Sequence, residues 1–294
     1  MNRDYEITCC STVDLSRALL EEKKIPFVPF SFLFGQKVYD DDYGLSYPID
    51  KFYADMNEGA TPTTSQPNAD RYKEMFESCL TKGKDVLHIT LSSGISGAVN
   101  SALIAAEELN EKYDNKVYVL DSLCCSGGYG MLVLSAWDNR EKGLSLEENL
   151  SWLQENRLNL HHWFFSSNLS AYVRGGRVSS VAGFIGGALK ICPLMCVSLE
   201  GKLEPMEMIR TQGRASKAIV DKMEQYCQGG KDYDGYCIIS HSDCQDVAEN
   251  IKASILDRFP SLKEVKIFPV GAVIGAHTGP RTIALYFYGS KRIK

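Results

Sequence analysis

The chain has 294 residues, 44% of them hydrophobic, enough to build one large α/β domain or two ordinary ones and too apolar for a disordered protein. A net charge of -5 with no long block of Lys or Arg gives no electrostatic footprint for nucleic acid. The opening residues Met1 to Glu6 do not form a signal-peptide pattern, and no run reaches the roughly 18 apolar residues of a membrane span, so a cytoplasmic protein is expected.

In chain order, Glu6 to Cys10 reads as a strand, and Ser11-Thr12-Val13-Asp14 as a turn into a helix carrying Leu15, Leu19 and Leu20. Pro26 to Phe34 is a further apolar strand. Thr63-Thr64-Ser65-Gln66-Pro67 reads as a polar loop entering a helix over Asn68 to Leu80, and its hydroxyls and amide could equally serve a ligand. Val86 to Leu91 is a buried type of strand and Ala98 to Leu109 a helix. Between them lies Ser92-Ser93-Gly94-Ile95-Ser96-Gly97. A loop running from the carboxyl end of a parallel strand to a helix N-terminus is where α/β sheets hold anions, although Ser96 could simply cap the helix.

Lys116 to Leu120 is β, followed by an apolar helix through Met131 to Trp137. Strands alternating with helices imply a parallel sheet. The composition then turns polar through Asp138 to Gly143, read as a linker, before a helical stretch from Ser145 to Asn156. These features divide the chain into an N-terminal α/β domain over residues 1–157 and a C-terminal α+β domain over 158–294. The second half opens with a strand at His162 to Ser166 and a glycine-rich apolar helix at Val181 to Leu189. A hairpin from Cys192 to Ile209 turns at Glu200-Gly201. Helices at Arg214 to Tyr226 and Cys244 to Phe259 flank a strand at Tyr236 to Ser240, and two last β runs cover Ile267 to Ile274 and Thr282 to Tyr288. His277 and Thr278 fall in the loop between those runs, where an imidazole of ordinary pKa near 6.5 could donate to a carboxylate or phosphate.

Ten cysteines in apolar runs read as reduced, buried residues, and the spacing of Cys192 and Cys196 lacks a histidine that would complete a metal site, so neither metal nor cofactor is expected. Gly94-Ile95-Ser96-Gly97-Ala98 misses the G-x-S-x-G nucleophile elbow by one glycine, and no Walker loop occurs. A serine acyl-hydrolase or acyltransferase using Ser93 or Ser96 with His277 stays open as an alternative to a binding protein. Arg174, Arg177 and Arg210 add guanidiniums suited to phosphate or carboxylate, or merely solvated ones.

The ordered set Ser11 to Asp14, Thr64-Ser65-Gln66-Pro67, Ser92 to Gly97, Asp121-Ser122, Gly175-Gly176-Arg177, Arg210-Thr211 and Gly275 to Pro280 resembles the DegV family over about Tyr5 to Tyr288. The resemblance implies a parallel-sheet, Rossmann-like lobe and an α+β lobe with a long-chain fatty acid between them. It also implies a carrier that is not itself an enzyme, presenting the carboxylate to a separate ATP-dependent fatty acid kinase subunit for acyl-phosphate formation and meeting membranes only transiently. By the same resemblance Thr64, Ser93 and the Gly94 backbone would hold the carboxylate, His277 and Thr278 would close over it, and Arg177 and Arg210 would line the mouth or assist the kinase; Ser96 is a further ligand-binding candidate. Ala98, Cys124-Cys125 and Arg281 depart from the family's usual residues, and Arg281 adds a cation near the expected headgroup.

Overall fold

The computed structural model describes residues 4–178 and 191–293. The helix expected over Val181 to Leu189 lies outside the described residues. Four parallel strands form the first sheet in the order β2-β1-β6-β7: β1 (Tyr5–Cys10), β2 (Phe27–Val28), β6 (Asp85–Thr90) and β7 (Val117–Asp121). Every residue of β6 is buried, which explains its unbroken apolar reading: helices cover both faces of a parallel sheet. Those helices include α1 (Arg17–Glu22), α3 (Ala69–Leu80), capped by Asn68 accepting from the Arg71 N–H, and α4 (Ala98–Lys112).

The apolar run from Pro26 does not form one strand. It divides into β2 and β3 (Ser31–Phe34), and β3 joins a small antiparallel sheet with β4 (Lys37–Asp40) and β5 (Thr63–Ser65). Thr63 to Ser65 is therefore strand and not loop, because pairing with β3 places Thr64 opposite Phe32. Between β4 and β5 stands α2 (Ile49–Asn57), which buries Phe52 and Tyr53.

The polar stretch after Trp137 is not a linker. Helix α5 (Ser126–Glu141) runs on through it, ends at Gly143 in a left-handed conformation, and passes to α6 (Leu146–Asn156) through a capping box of Ser145 and Glu148.

A mixed six-stranded sheet follows in the order β10-β9-β8-β13-β11-β12. Its strands are β8 (Leu160–Ser166), β9 (Ile191–Val197), β10 (Leu203–Arg210), β11 (Tyr236–His241), β12 (Glu264–Pro269) and β13 (Thr282–Tyr288). Alternation assigns its two faces. Trp163, Phe165, Ile239, Leu285 and Phe287 form a core with α8 (Gln212–Tyr226) and α9 (Gln245–Arg258). Phe164, Ile238, Ala284 and Tyr286 point the other way and join the core of the first lobe.

Helix α5 is the wedge between the two sheets. It needs Gly127 and Gly128, since a Cβ on Gly127 would come 2.6 Å from Ser240 Oγ and one on Gly128 2.2 Å from His162 Nε2. The last correction concerns Ile267 to Ile274: the strand stops at Pro269, and Ala272–Thr278 is helix α10. Two buried aspartates of the first lobe account for it. Asp14 Oδ1 accepts the Gly271 N–H at 2.9 Å and Asp41 Oδ1 the Ala272 N–H at 3.3 Å, satisfying the helix entry.

Candidate functional site

Between the sheets lies a mostly apolar cavity of about 410 Å³, within the range of small-molecule pockets. Phe164 of β8, Ala284 and Tyr286 of β13, Leu203 of β10 and Val273 and Ile274 of α10 supply interior surface, while Thr64, Ser65, Gln66, Ser96, Arg177, His277 and Thr278 supply polar groups. Both lobes contribute. Strand β5 brings Thr64, the loop after β6 brings Ser96, and α10 brings His277 and Thr278, packed against the short helix α7 (Ser170–Gly175).

Thr64 Oγ1 lies 2.7 Å from His277 Nε2, a contact across 213 residues of sequence. Burial, reinforced by the positive charge of Arg177, pushes the His277 imidazole down to about 4, so the ring is neutral at physiological pH. That differs from the ordinary value expected from the sequence, because His277 sits on a packed helix and not in an open loop. Its Nδ1 lies against the Gly175 backbone, which raises the pKa slightly, yet it makes no hydrogen bond of good geometry among the described residues. Which ring nitrogen carries the proton sets the direction of the Thr64 contact. With the proton on Nε2 the ring donates to Thr64 Oγ1 and the threonine O–H is left to donate into the cavity; with it on Nδ1 the threonine O–H donates to the ring.

The remaining expected residues divide. Ser96 is on the lining; its hydroxyl accepts the Ala98 N–H at 3.2 Å and reaches Gln66 Oε1 at 3.4 Å. It thus serves the entry to α4 from the residue before the Gly97 N-cap while lining the cavity. Thr278 is also on the lining, with its hydroxyl donating to Ile274 O. Arg177 borders the opening, where its guanidinium donates to the carbonyls of Gly175 and Ile95. Ser93 and Gly94 are not among the lining residues. Ser93 N–H donates to Asp121 Oδ1, and Gly94 N–H donates to Ser92 Oγ. Gly94 faces an outer crevice shared with Arg177 and Lys202, close against the Glu200-Gly201 turn, where a Cβ would come within 2.6 Å of Gly201 backbone. Arg210 ends β10, exposed and off the lining, and Arg281 turns away to donate to Gln212 Oε1.

No Ser–His pair of the acyl-hydrolase type forms among the described residues: Thr64 occupies His277 Nε2, and Ser96 faces Gln66. Among them too, no cluster of His, Cys, Asp and Glu could hold a metal ion, and no helix is long and apolar enough to cross a membrane. No disulfide joins the ten cysteines, and burial pushes thiols such as that of Cys10 up to about 11.

The sequence model of the family described as "Uncharacterised protein, DegV family" matches residues 5–290. This chain belongs to the DegV family. It is 33% identical to a DegV domain-containing protein of Clostridium perfringens over 99% of both chains. It is 31% identical to a fatty acid-binding protein of Thermotoga maritima over 93% of each. Among solved structures it superposes on a fatty-acid-binding DegV family protein from Thermus thermophilus with a TM-score of 0.87 at 28% identity, covering 98% of this chain and 99% of the other. A DegV lipid-binding protein from Thermotoga maritima gives a TM-score of 0.85 at 28% identity, covering 99% and 100%.

The lining residues Phe164, Tyr172, Leu203, Ala284 and Tyr286 carry no functional motif in the sequence. For Phe164, Leu203, Ala284 and Tyr286 the signal is strand alternation, and for Tyr172 apolar character on a short helix; both mark core and do not distinguish a filled core from a lined cavity.

Proposed function

We propose that this DegV protein binds a long-chain fatty acid in the cavity between its lobes, with the carboxylate at Thr64 and His277. It would present that carboxylate to a separate ATP-dependent kinase in the cytoplasm as a carrier without catalytic activity of its own. The observation that carries the reading is a mostly apolar cavity of about 410 Å³ with neutral polar groups on its lining, the Thr64–His277 pair first among them. Relatives described as fatty-acid-binding proteins support it.

The energetics are consistent. Burial contributes about 0.8 kcal/mol per methylene, so roughly 14 of them supply on the order of 10 kcal/mol before the costs of association, and the tail dominates affinity. The headgroup needs donors to offset its desolvation and fix its orientation. A hydroxyl and a neutral imidazole do this without the tight bidentate ion pair that would draw electron density from the oxygen that must attack a phosphoryl group. Arg177 on the lining, and the exposed Arg210, would offer guanidiniums to an anionic partner or its nucleotide.

Organic extraction of the purified protein followed by lipid mass spectrometry tests the binding step, with a fatty acid recovered in stoichiometric amount as the expected result. Protein that yields no acyl chain and shows no response in a fatty-acid titration overturns the proposal. The presenting step is tested by acyl-phosphate formation with a kinase subunit and ATP, which should require loaded protein.

A further inference from the structure

The cavity has a second polar region, at the other end of α10 from His277 and Thr278. Ser126 and Tyr286 both line the interior. Ser126 Oγ donates to Asp14 Oδ2 at 2.5 Å, and Asp14 Oδ1 accepts the N–H of Gly271, so this group stands at the start of α10. His277 and Thr278 stand at its other end. From Ala272 to Thr278 the helix rises by about 1.5 Å per residue, which separates the two polar regions by roughly 9 Å along its axis, nearer the middle of a long acyl chain than its head.

The inner group is not closed on itself. The Tyr286 hydroxyl adjoins the Ser126 and Ser240 side chains, and Ser240 Oγ, wholly buried, has no hydrogen bond of good geometry among the described residues. Burial pushes the Asp14 carboxyl up to about 8, so it retains a proton near neutrality. A protonated Asp14 can donate to Ser126 Oγ, which frees the serine O–H. Plain methylenes laid against these hydroxyls would offer them no partner, whereas a ligand hydroxyl both donates and accepts.

We propose that Ser126 and Tyr286 form a specificity site for a long-chain acid carrying a hydroxyl at mid-chain. The proposal rests on the fatty-acid reading above and adds the class of chain the site prefers. Selection follows from hydrogen bonding to a group that saturated chains lack, a form of discrimination that apolar packing does not supply.

The test uses the full chain stripped of lipid and a fluorescent fatty-acid probe displaced by stearic acid, by stearic acid hydroxylated at mid-chain, and by stearic acid hydroxylated beside the carboxyl. The mid-chain isomer should displace the probe about threefold to tenfold more effectively than stearic acid, the net value of one neutral hydrogen bond, and the head-proximal isomer should show no such gain. In Tyr286→Phe and in Ser126→Gly that ratio should fall to about one; glycine suits the φ of 50° at position 126. Equal or weaker displacement by the mid-chain isomer, or a preference surviving both substitutions, overturns the specificity site while leaving the fatty-acid reading intact. Failure of every acid to displace the probe overturns both.

Discussion

Thr64 and His277 show how a residue's role follows from its partner. Alone, Thr64 is a strand residue opposite Phe32, and His277 is a neutral base on a short helix; at 2.7 Å they form one polar pair, whose threonine O–H can turn to a ligand when Nε2 carries the proton. Thr64→Val keeps the shape and β preference of the side chain while removing the donor. A hydrogen bond to a charged group contributes about 1.5–3 kcal/mol, so the dissociation constant for a fatty acid should rise by about tenfold or more. Affinity for the corresponding methyl ester should change far less, and titration of both ligands against both proteins checks it. An equal loss for acid and ester would place the carboxylate elsewhere. Ser93 teaches the complementary point: a hydroxyl in a glycine-flanked loop after a strand looks like an anion ligand, yet its N–H serves Asp121 and the residue lies beyond the cavity lining. The sequence supplies the loop and the residue types, and only the docking of Gly94 on the Glu200-Gly201 turn decides which face of the loop meets the cavity.

Helix α10 is the element on which the site turns, and the one whose sequence misleads. Val273 and Ile274 extend the apolar run of β12, so period and propensity favour strand. What overrides them is 231 or more residues away in sequence: the carboxyl groups of Asp41 and Asp14 receive the first N–H groups of the helix. Such tertiary capping leaves no local signal. It also has a pH signature. Desolvation raises Asp14 to about 8 and Asp41 to about 6 from an ordinary 3.8, so between those limits the folded protein holds protons that the unfolded chain releases. The stabilising contribution is complete below about pH 3.8 and is lost as pH rises through the folded values. Asp14→Asn keeps an oxygen for Gly271 N–H, and Ser126 can rotate to accept from the new amide. The variant should lose less stability than the parent between weakly acidic and weakly alkaline pH, as read by thermal melting. An identical slope in both would mean that Asp14 ionises freely.

At the scale of the molecule, strands and helices are legible where local pattern decides them: the buried run of β6, the hairpin of β9 and β10, and the alternation of β13 each announce themselves, whereas β4, α2, β5 and α10 do not. The cavity is not legible, since its walls come from both lobes and a lining residue has the same apolar character as a packed one. The junction between the lobes is equally silent. Arg292 lies four residues beyond the end of β13 and is only 5% exposed. Its Nη1 donates to the carbonyls of Leu123 and Ser198, both at 2.9 Å, and its Nη2 to Arg157 O at 2.7 Å and towards Cys124 Sγ. One guanidinium thus ties the loop before α5, the end of α6 and the β9–β10 turn, using the planar fork that a lysine lacks. Arg292→Met retains much of the apolar stem but leaves three carbonyl oxygens without this donor, and the cost should be about 2–4 kcal/mol in denaturant unfolding. Because those carbonyls belong to both lobes, the loss should reach the cavity as well: fatty-acid release should quicken in Arg292→Met even though the side chain touches none of its lining. A variant that is destabilised while releasing ligand at the parental rate would show that the lobes hold their spacing through α5 alone.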